Sequence, residues 1–142
     1  MKIPATVTVL TYNSAKTLET CLSSVAAFDD LLVLDGGSTD ETVAIAQRLG
    51  ARVIPQADQP GPIRDFTAVR ERSFAEAQYD WILWMDSDEW ADARLIEAIA
   101  RAARSLSESV AYTVDRVPLV QGKKIRYDEK DRRSGIGAFR RI

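Results

Sequence analysis

A chain of 142 residues fits one domain, and an apolar share of 46% with 28% charged residues supplies a core without disulfides and excludes a disordered segment. With 19 basic and 21 acidic residues the net charge is −2, so no overall field draws the chain to nucleic acid or to an anionic membrane surface. The absence of histidine removes His-ligated metals, His general bases and Ser-His-Asp triads, and leaves acid–base work to carboxylates.

Residues 5–12, ATVTVLTY, are rich in β-branched side chains and predict a first strand, after which Asn13 and Ser14 signal a helix start. Leu18, Leu22, Val25 and Ala26 recur at helical spacing, which predicts a helix from about Ala15 with Cys21 as a core thiol. A single cysteine cannot form an internal disulfide and points to a reducing compartment. No apolar run approaches the roughly eighteen residues of a spanning helix, and the N-terminus does not read as a signal peptide.

The apolar run at residues 31–34 predicts a parallel strand covered on both faces. It ends in DGGSTDE, where Ser38 and Glu41 have capping-box spacing ahead of a helix bearing Val43, Ile45, Ala46 and Leu49 and stopped by Gly50. Gly36 and Gly37 suit either a loop that hugs a flat base or sugar or an ordinary tight turn. Residues 52–54 predict a short third strand, and residues 55–62, with three prolines and a glycine, a surface loop. Helix resumes near Ile63 with Phe66, Val69, Ser73 or Phe74, and Ala77 inward. Arg64 and Arg70 in that helix either reach phosphates through forked hydrogen bonds or stay solvated.

In WILWMDSDE, residues 81–89, five apolar residues give way to Asp86, Asp88 and Glu89. Alternation along an extended chain puts Asp86 and Asp88 on one side. Two carboxylates about 5 Å apart there repel by roughly 3 kcal/mol at an effective dielectric near 20. A divalent cation relieves that repulsion, and Mg²⁺ takes one or two carboxylates and completes its shell with water and substrate phosphate, so the pattern predicts a metal-bound diphosphate. The competing reading is a solvated turn or a helix cap by Asp88 or Asp92. An EF-hand is excluded, because Ala91 stands where its loop needs glycine. Trp84 reads as core, and Trp90 as available to stack on a sugar or base.

A helix over residues 91–105 carries Leu95, Ile96, Ile99 and Ala102 on one side, and residues 111–120 and 124–127 predict a hairpin about Gln121-Gly122. Strands alternating with helices predict an α/β fold in a single domain over residues 1–142: a mostly parallel, Rossmann-like sheet with a C-terminal β-hairpin. Ligands of such sheets bind beyond the carboxyl ends of the strands, where Tyr12-Asn13, Asp35-Gly36-Gly37 and Asp86-Ser87-Asp88 all fall. Neither a dinucleotide fingerprint nor a Walker phosphate loop is present.

As an ordered set, LTYN, DGGSTDET, RDFTAVRERSF and WILWMDSDE resemble the family 2 glycosyltransferases of the GT-A fold, nearest to the bacterial branch that includes lipopolysaccharide core glycosyltransferases. The resemblance covers roughly residues 3–142. It implies a three-layer α/β/α sandwich and a nucleotide-sugar-dependent transferase, with Asp86-Ser87-Asp88 as the D-x-D motif. In that motif Asp86 and Asp88 hold Mg²⁺ or Mn²⁺ on the donor diphosphate, and Asp88 enters catalysis through the metal. Thr11 and Tyr12 then border the nucleoside, Asp35 lies beside the base or ribose, and Arg70 falls on an arginine typical of the branch; from their own positions in the crevice Asn13, Gly36 and Arg64 are expected to join the donor-binding set.

Relatives of this type invert at the sugar: a carboxylate base deprotonates the acceptor hydroxyl while the metal stabilises the departing nucleoside diphosphate. Their usual base lies beyond the stretch matching Phe139-Arg140-Arg141, so Asp128, Glu129 and Asp131 are the carboxylates late enough to substitute, with Asp131 the candidate base. The chain departs from the family in Asp35-Gly36, where many relatives carry two aspartates, and in Glu71, where asparagine is common. The expected acceptor is a cell-envelope polysaccharide or glycolipid. The expected location is the cytoplasm, extending to peripheral attachment at the inner face of the membrane, with self-association through uncovered edge or apolar surface. Two further readings are a non-catalytic nucleotide-sugar-binding module and a nucleotidyltransferase. The latter is weakened by the lack of a Gly-rich basic phosphate loop near the N-terminus.

Overall fold

The computed structural model describes residues 1–105, 111–117, 119–120, 123–124 and 136–141. In chain order the elements are β1 (Ile3–Thr11), α1 (Leu18–Ser24), β2 (Phe28–Asp35), α2 (Thr42–Arg48), β3 (Arg52–Pro55), α3 (Phe66–Glu76), β4 (Trp81–Asp86), α4 (Ala93–Arg104), β5 (Ala111–Asp115), β6 (Leu119–Val120), β7 (Lys123–Lys124) and β8 (Ile136–Arg141). Six strands form one sheet in the order β3-β2-β1-β4-β8-β5, and β6 pairs with β7 separately. The β1–β2, β1–β4 and β2–β3 pairs are parallel, whereas β8 runs antiparallel to both β4 and β5. The chain moves outward from β1 through β2 to β3 and then returns to β4 on the other side of β1. That reversal creates a switch point at the carboxyl end of β1, where open α/β sheets bind ligands.

Alternation along the strands sorts the core into two faces. Val7, Val9, Leu31, Val33, Leu83 and Met85 meet Leu18, Cys21, Leu22, Ala46 and Ile99 from α1, α2 and α4. Leu32 and Leu34 meet Val69 of α3 on the other face, with Leu10, Ile54 and Ile63 packed alongside. These are the three layers of an α/β/α sandwich. At the amino end of β2, the buried Asp30 carboxylate accepts a fork from Arg52 (Nε at 2.9 Å, Nη2 at 2.9 Å), the Thr6 hydroxyl and the Gln78 N–H. Burial alone raises its pKa, but those partners outweigh burial and hold the carboxyl below its ordinary value.

Several boundaries move for identifiable reasons. Asn13 takes φ 51°, the Ser14 carbonyl closes a turn by accepting the N–H groups of both Thr17 and Leu18, and Thr17 at φ −119° is the N-cap, so α1 starts at Leu18 rather than Ala15. Asp65 caps α3 through the N–H groups of Thr67 and Ala68 (2.9 and 3.1 Å), which leaves Arg64 ahead of the helix instead of within it. Phe66, expected inward, is 59% exposed. Val69 and Ser73 fix the buried face, and Phe66, only about 20° around the helix from Ser73, is exposed because it is the first residue of α3, at the open end of that face.

The capping box does not form. Ser38 is drawn to Asp35, Glu41 makes no side-chain cap, and Asp40 instead accepts from the Thr42 N–H at 3.0 Å and from the Thr42 hydroxyl. Of the expected hairpin, Leu119–Val120 and Lys123–Lys124 pair with each other among the described residues, while β5 ends at Asp115 and pairs with β8, a strand that sequence patterning does not predict. Residues 125–127 of the expected second strand lie outside the described residues.

Candidate functional site

The loops that leave β1, β2 and β4 are bonded to one another. Asn13 donates its N–H to Ser38 Oγ (2.8 Å), while its Oδ1 accepts the Thr39 N–H (2.8 Å). The Ser14 N–H meets Thr42 Oγ1 (2.7 Å), and the Ala15 N–H meets Asp40 Oδ2 (3.1 Å). Asparagine is among the few residues that accept positive φ at low cost, so Asn13 suits this corner. The acidic turn joins them through the Ser87 hydroxyl, which donates to Ser14 Oγ at 2.9 Å. From below, Cys21 Sγ approaches the Asp86 carbonyl at 3.6 Å, and Ser24 Oγ accepts the Ala91 N–H at 3.0 Å.

Asp35 is the organiser of the second loop. Its Oδ1 accepts from the hydroxyls of Thr11 (2.7 Å) and Ser38 (2.6 Å), and its Oδ2 from the N–H groups of Gly37 (2.9 Å) and Ser38 (2.8 Å). Burial opposes ionisation, but Ser38, Thr11 and Gly37 together outweigh it and hold the carboxyl below its usual range. Gly37 takes positive φ, whereas at Gly36 the missing side chain matters: a Cβ there meets Gln56 Nε2 at 2.6 Å and the Gly61 carbonyl at 2.7 Å. The close backbone approach anticipated at Gly36 is thus made by the chain itself. Asp35, Gly36, Gly37, Ile54, Pro55 and Pro60 border a hollow of about 340 Å³ at the ends of β2 and β3. Another hollow, of about 370 Å³, lies at the opposite end of the sheet beside Pro4, Gln78 and Trp81, away from these loops.

Asp86 is the last residue of β4, and a turn closed by the Glu89 N–H on the Asp86 carbonyl (3.0 Å) follows at once. The extended alternation expected to carry Asp86 and Asp88 to one side therefore stops at Asp86, and proximity within the turn replaces it. Glu89 folds back so that its Oε2 accepts the Asp86 N–H at 2.8 Å. Partial burial raises the Glu89 pKa, opposed by that N–H and by Arg116 and reinforced by the charges of Asp86 and Asp88. The same three carboxylates add to the burial that pushes the Cys21 thiol up to about 12. Arg116 answers this negative charge, with Nε 2.8 Å from Glu89 Oε1 and Nη1 3.7 Å from Asp86 Oδ2. Asp92, not Asp88, caps α4 by accepting the Leu95 N–H at 2.8 Å.

An all-oxygen donor set that concentrates charge and already attracts a guanidinium fits a hard divalent cation such as Mg²⁺ or Mn²⁺. Among the described residues no three or more metal-ligating side chains are gathered as a closed cage.

Tyr12 and Trp90 stand exposed by these loops. Arg70 places its guanidinium 5.8 Å from the Trp84 ring centroid, and Phe74 meets that ring edge-on at 5.0 Å. Trp84 is only half-buried, a stacking platform under Arg70 as much as core. Arg64 is exposed ahead of α3. Asp128, Glu129 and Asp131 lie outside the described residues. Sequence reasoning missed Ser14, Ser38 and Arg116. Ser14 and Ser38 read as turn residues, and no local pattern links Arg116 to an acidic turn in another strand's loop.

Comparison with known proteins agrees with this architecture. The family model described as glycosyl transferase family 2 matches residues 6–141. An uncharacterized glycosyltransferase of Rickettsia felis is 38% identical over 94 residues, 64% of this chain and 31% of the relative. The lipopolysaccharide core biosynthesis glycosyltransferase LpsC of Rhizobium meliloti is 25% identical over 121 residues, 85% of this chain and 45% of the relative. Among solved structures, S. aureus TarS 1–349 superposes with a TM-score of 0.63 at 25% identity, covering 89% of this chain and 39% of that one. Glucosyl-3-phosphoglycerate synthase from Mycobacterium tuberculosis in complex with uridine-diphosphate gives 0.56 at 26% identity, over 72% and 40% of the two chains. The chain thus spans less than half the length of each of these proteins. With a mostly parallel, helix-covered sheet, three loops knitted at its switch point and a family model matched over nearly its whole length, this chain belongs to glycosyl transferase family 2.

Proposed function

We propose that this chain forms the donor-binding part of a metal-dependent, inverting glycosyltransferase that transfers a sugar from a nucleotide-sugar to a cell-envelope polysaccharide or glycolipid. The observation that carries the reading is the acidic turn at the end of β4, tied through Ser87 and Ser14 into the loops of β1 and β2 beside the switch point. Asp86 and Asp88 would hold Mg²⁺ or Mn²⁺, which when bound neutralises the diphosphate and stabilises it as a leaving group. Ser87 fixes the turn, and Tyr12 offers its exposed ring to the nucleoside. Thr11, Asn13, Asp35 and Gly36 shape the donor side by holding its loops together, since their polar groups already bond to one another across the loops. Arg70, on its Trp84 platform, and Arg64 supply cationic donors to phosphate.

The acceptor class is supported by the likeness to LpsC. No helix among the described residues is long and apolar enough to cross a membrane, and we place the work at the cytoplasmic side, free or peripheral to the membrane. Asp131 is the candidate base within this chain. Calorimetric titration with a panel of nucleoside diphosphates, with and without Mn²⁺, tests the site. The parent chain should bind one of them only with metal, and Asp88→Asn should lose that binding while keeping the parent's circular dichroism spectrum. Normal metal-dependent binding by Asp88→Asn would remove Asp88 from the site. Mn²⁺-dependent donor hydrolysis or transfer supports turnover by this chain, whereas binding without turnover restricts it to a binding module.

A further inference from the structure

Arg116 follows β5, two places from β4 in the sheet, yet its guanidinium reaches the acidic turn. Its two contacts there are unequal. Nε stands 2.8 Å from Glu89 Oε1, a close ion pair with a side chain only 25% exposed. Nη1 stands 3.7 Å from Asp86 Oδ2, beyond hydrogen-bond reach, on a side chain 61% exposed. Glu89 is in turn fixed by the Asp86 N–H at 2.8 Å. The inner nitrogen of Arg116 is therefore pinned to a sheltered, oriented carboxylate, while the outer end only leans on an open one.

We propose that Arg116 is a positioning residue of donor binding that exchanges partners: pivoting on Glu89, its outer nitrogens release Asp86 to a divalent cation and turn to the diphosphate that arrives with it. This rests on the reading of Asp86 as a metal ligand. The guanidinium and a divalent cation repel when they share one carboxylate, so metal alone must displace the outer end of Arg116 at a cost. A diphosphate restores negative charge and presents oxygens that match the guanidinium fork. Arg116 thus opposes metal alone and favours metal with diphosphate, which couples the two ligands.

The test compares the 142-residue chain with Arg116→Gln in two titrations: Mn²⁺ alone, followed by electron paramagnetic resonance of the free ion, and inorganic pyrophosphate by calorimetry at saturating Mg²⁺. Pyrophosphate keeps the identity of the base out of the measurement. Arg116→Gln should bind Mn²⁺ about threefold to tenfold more tightly and magnesium pyrophosphate about fivefold or more weakly, opposite signs that a merely structural residue would not give. Arg116→Lys, with charge but no fork, should restore the weak Mn²⁺ binding and not the pyrophosphate affinity. Unchanged pyrophosphate affinity in Arg116→Gln overturns the proposal whatever happens to Mn²⁺, because Arg116 is then only a counter-ion. So does unchanged Mn²⁺ affinity. A parent chain that binds no Mn²⁺, or an Asp86→Asn chain that binds it as well as the parent, removes the metal reading and this inference with it.

Discussion

Asp35→Asn isolates the charge of the carboxylate that organises the second loop. Asparagine can keep its carbonyl toward the N–H groups of Gly37 and Ser38, and the hydroxyls of Thr11 and Ser38 can rotate to accept from its amide, so the geometry survives and the charge does not. A charge-assisted hydrogen bond is worth roughly 0.5–1 kcal/mol more than a neutral one, so four of them give about 2–4 kcal/mol, and the lower end applies because the loop borders water. For a domain of this size about 2 kcal/mol lowers the melting temperature by roughly 6–10 °C, readable by circular dichroism at neutral pH. The deficit also depends on pH. The folded Asp35 carboxyl ionises below its ordinary 3.8, so its contribution is complete above that value and is lost as pH falls through the folded one. Asparagine does not titrate, so parent and variant should begin to converge only as pH falls below the ordinary 3.8 and should meet once it has passed the lower value of the folded carboxyl. A variant that melts within about 2 °C of the parent at neutral pH, or a deficit that persists in acid, would refute this account of Asp35.

Gly36→Ala drives a Cβ to 2.7 Å from the Gly61 carbonyl, a backbone atom that cannot swing aside, and should cost about 1–3 kcal/mol in urea unfolding. Asp30→Ala strips Arg52, Thr6 and the Gln78 N–H of their shared acceptor. It should cost about 3 kcal/mol by the same measurement, near the low end for a broken buried pair because Arg52 reaches solvent. Cys21 is fully buried with its pKa pushed up to about 12, so in mildly alkaline buffer a disulfide reagent should label it only as fast as the chain opens. Rapid labelling of the native chain would show that α1 does not hold the acidic turn from below.

How legible each part was depends on how local its cause is. Strands β1, β2 and β4 carry β-branched or apolar runs whose ends coincide with polar clusters, so both the sheet and the edge that bears the loops follow from pattern. Ser38 shows where that reasoning stops. Its capping-box spacing is real, but the Asp35 carboxylate three residues earlier competes for its hydroxyl and wins, and Asp40 takes over the helix end. Phe66 is misplaced for a related reason, since the cap at Asp65 makes it the first residue of α3, at the exposed end of the face that Val69 and Ser73 bury. β8 has no legible signal because its reason to be a strand is tertiary: it fills the place between β4 and β5. Arg116 depends on that arrangement and is equally invisible.

The carboxylates at this edge divide into two kinds, and the division points to where a ligand belongs. Asp35 and Asp40 are supplied with donors by the chain itself. Burial works against Asp35, and Thr42 is the main partner of Asp40, yet both are held below the ordinary range. They are anions the fold has already neutralised, and a ligand would have to compete with four hydrogen bonds at Asp35 and three at Asp40. The acidic turn is the reverse case. Glu89 is raised by burial and by its acidic neighbours, and Asp86 faces a guanidinium at 3.7 Å, too long for a hydrogen bond. A fold that spends hydroxyls and N–H groups freely on Asp35 and Asp40 leaves Asp86 and Asp88 exposed on a turn held by Ser14, Cys21 and Ser24, with Arg116 as the counter-charge beside it, and this is where the proposed cation would bind. A held turn with exposed carboxylates is what a cation brought in with its substrate would require.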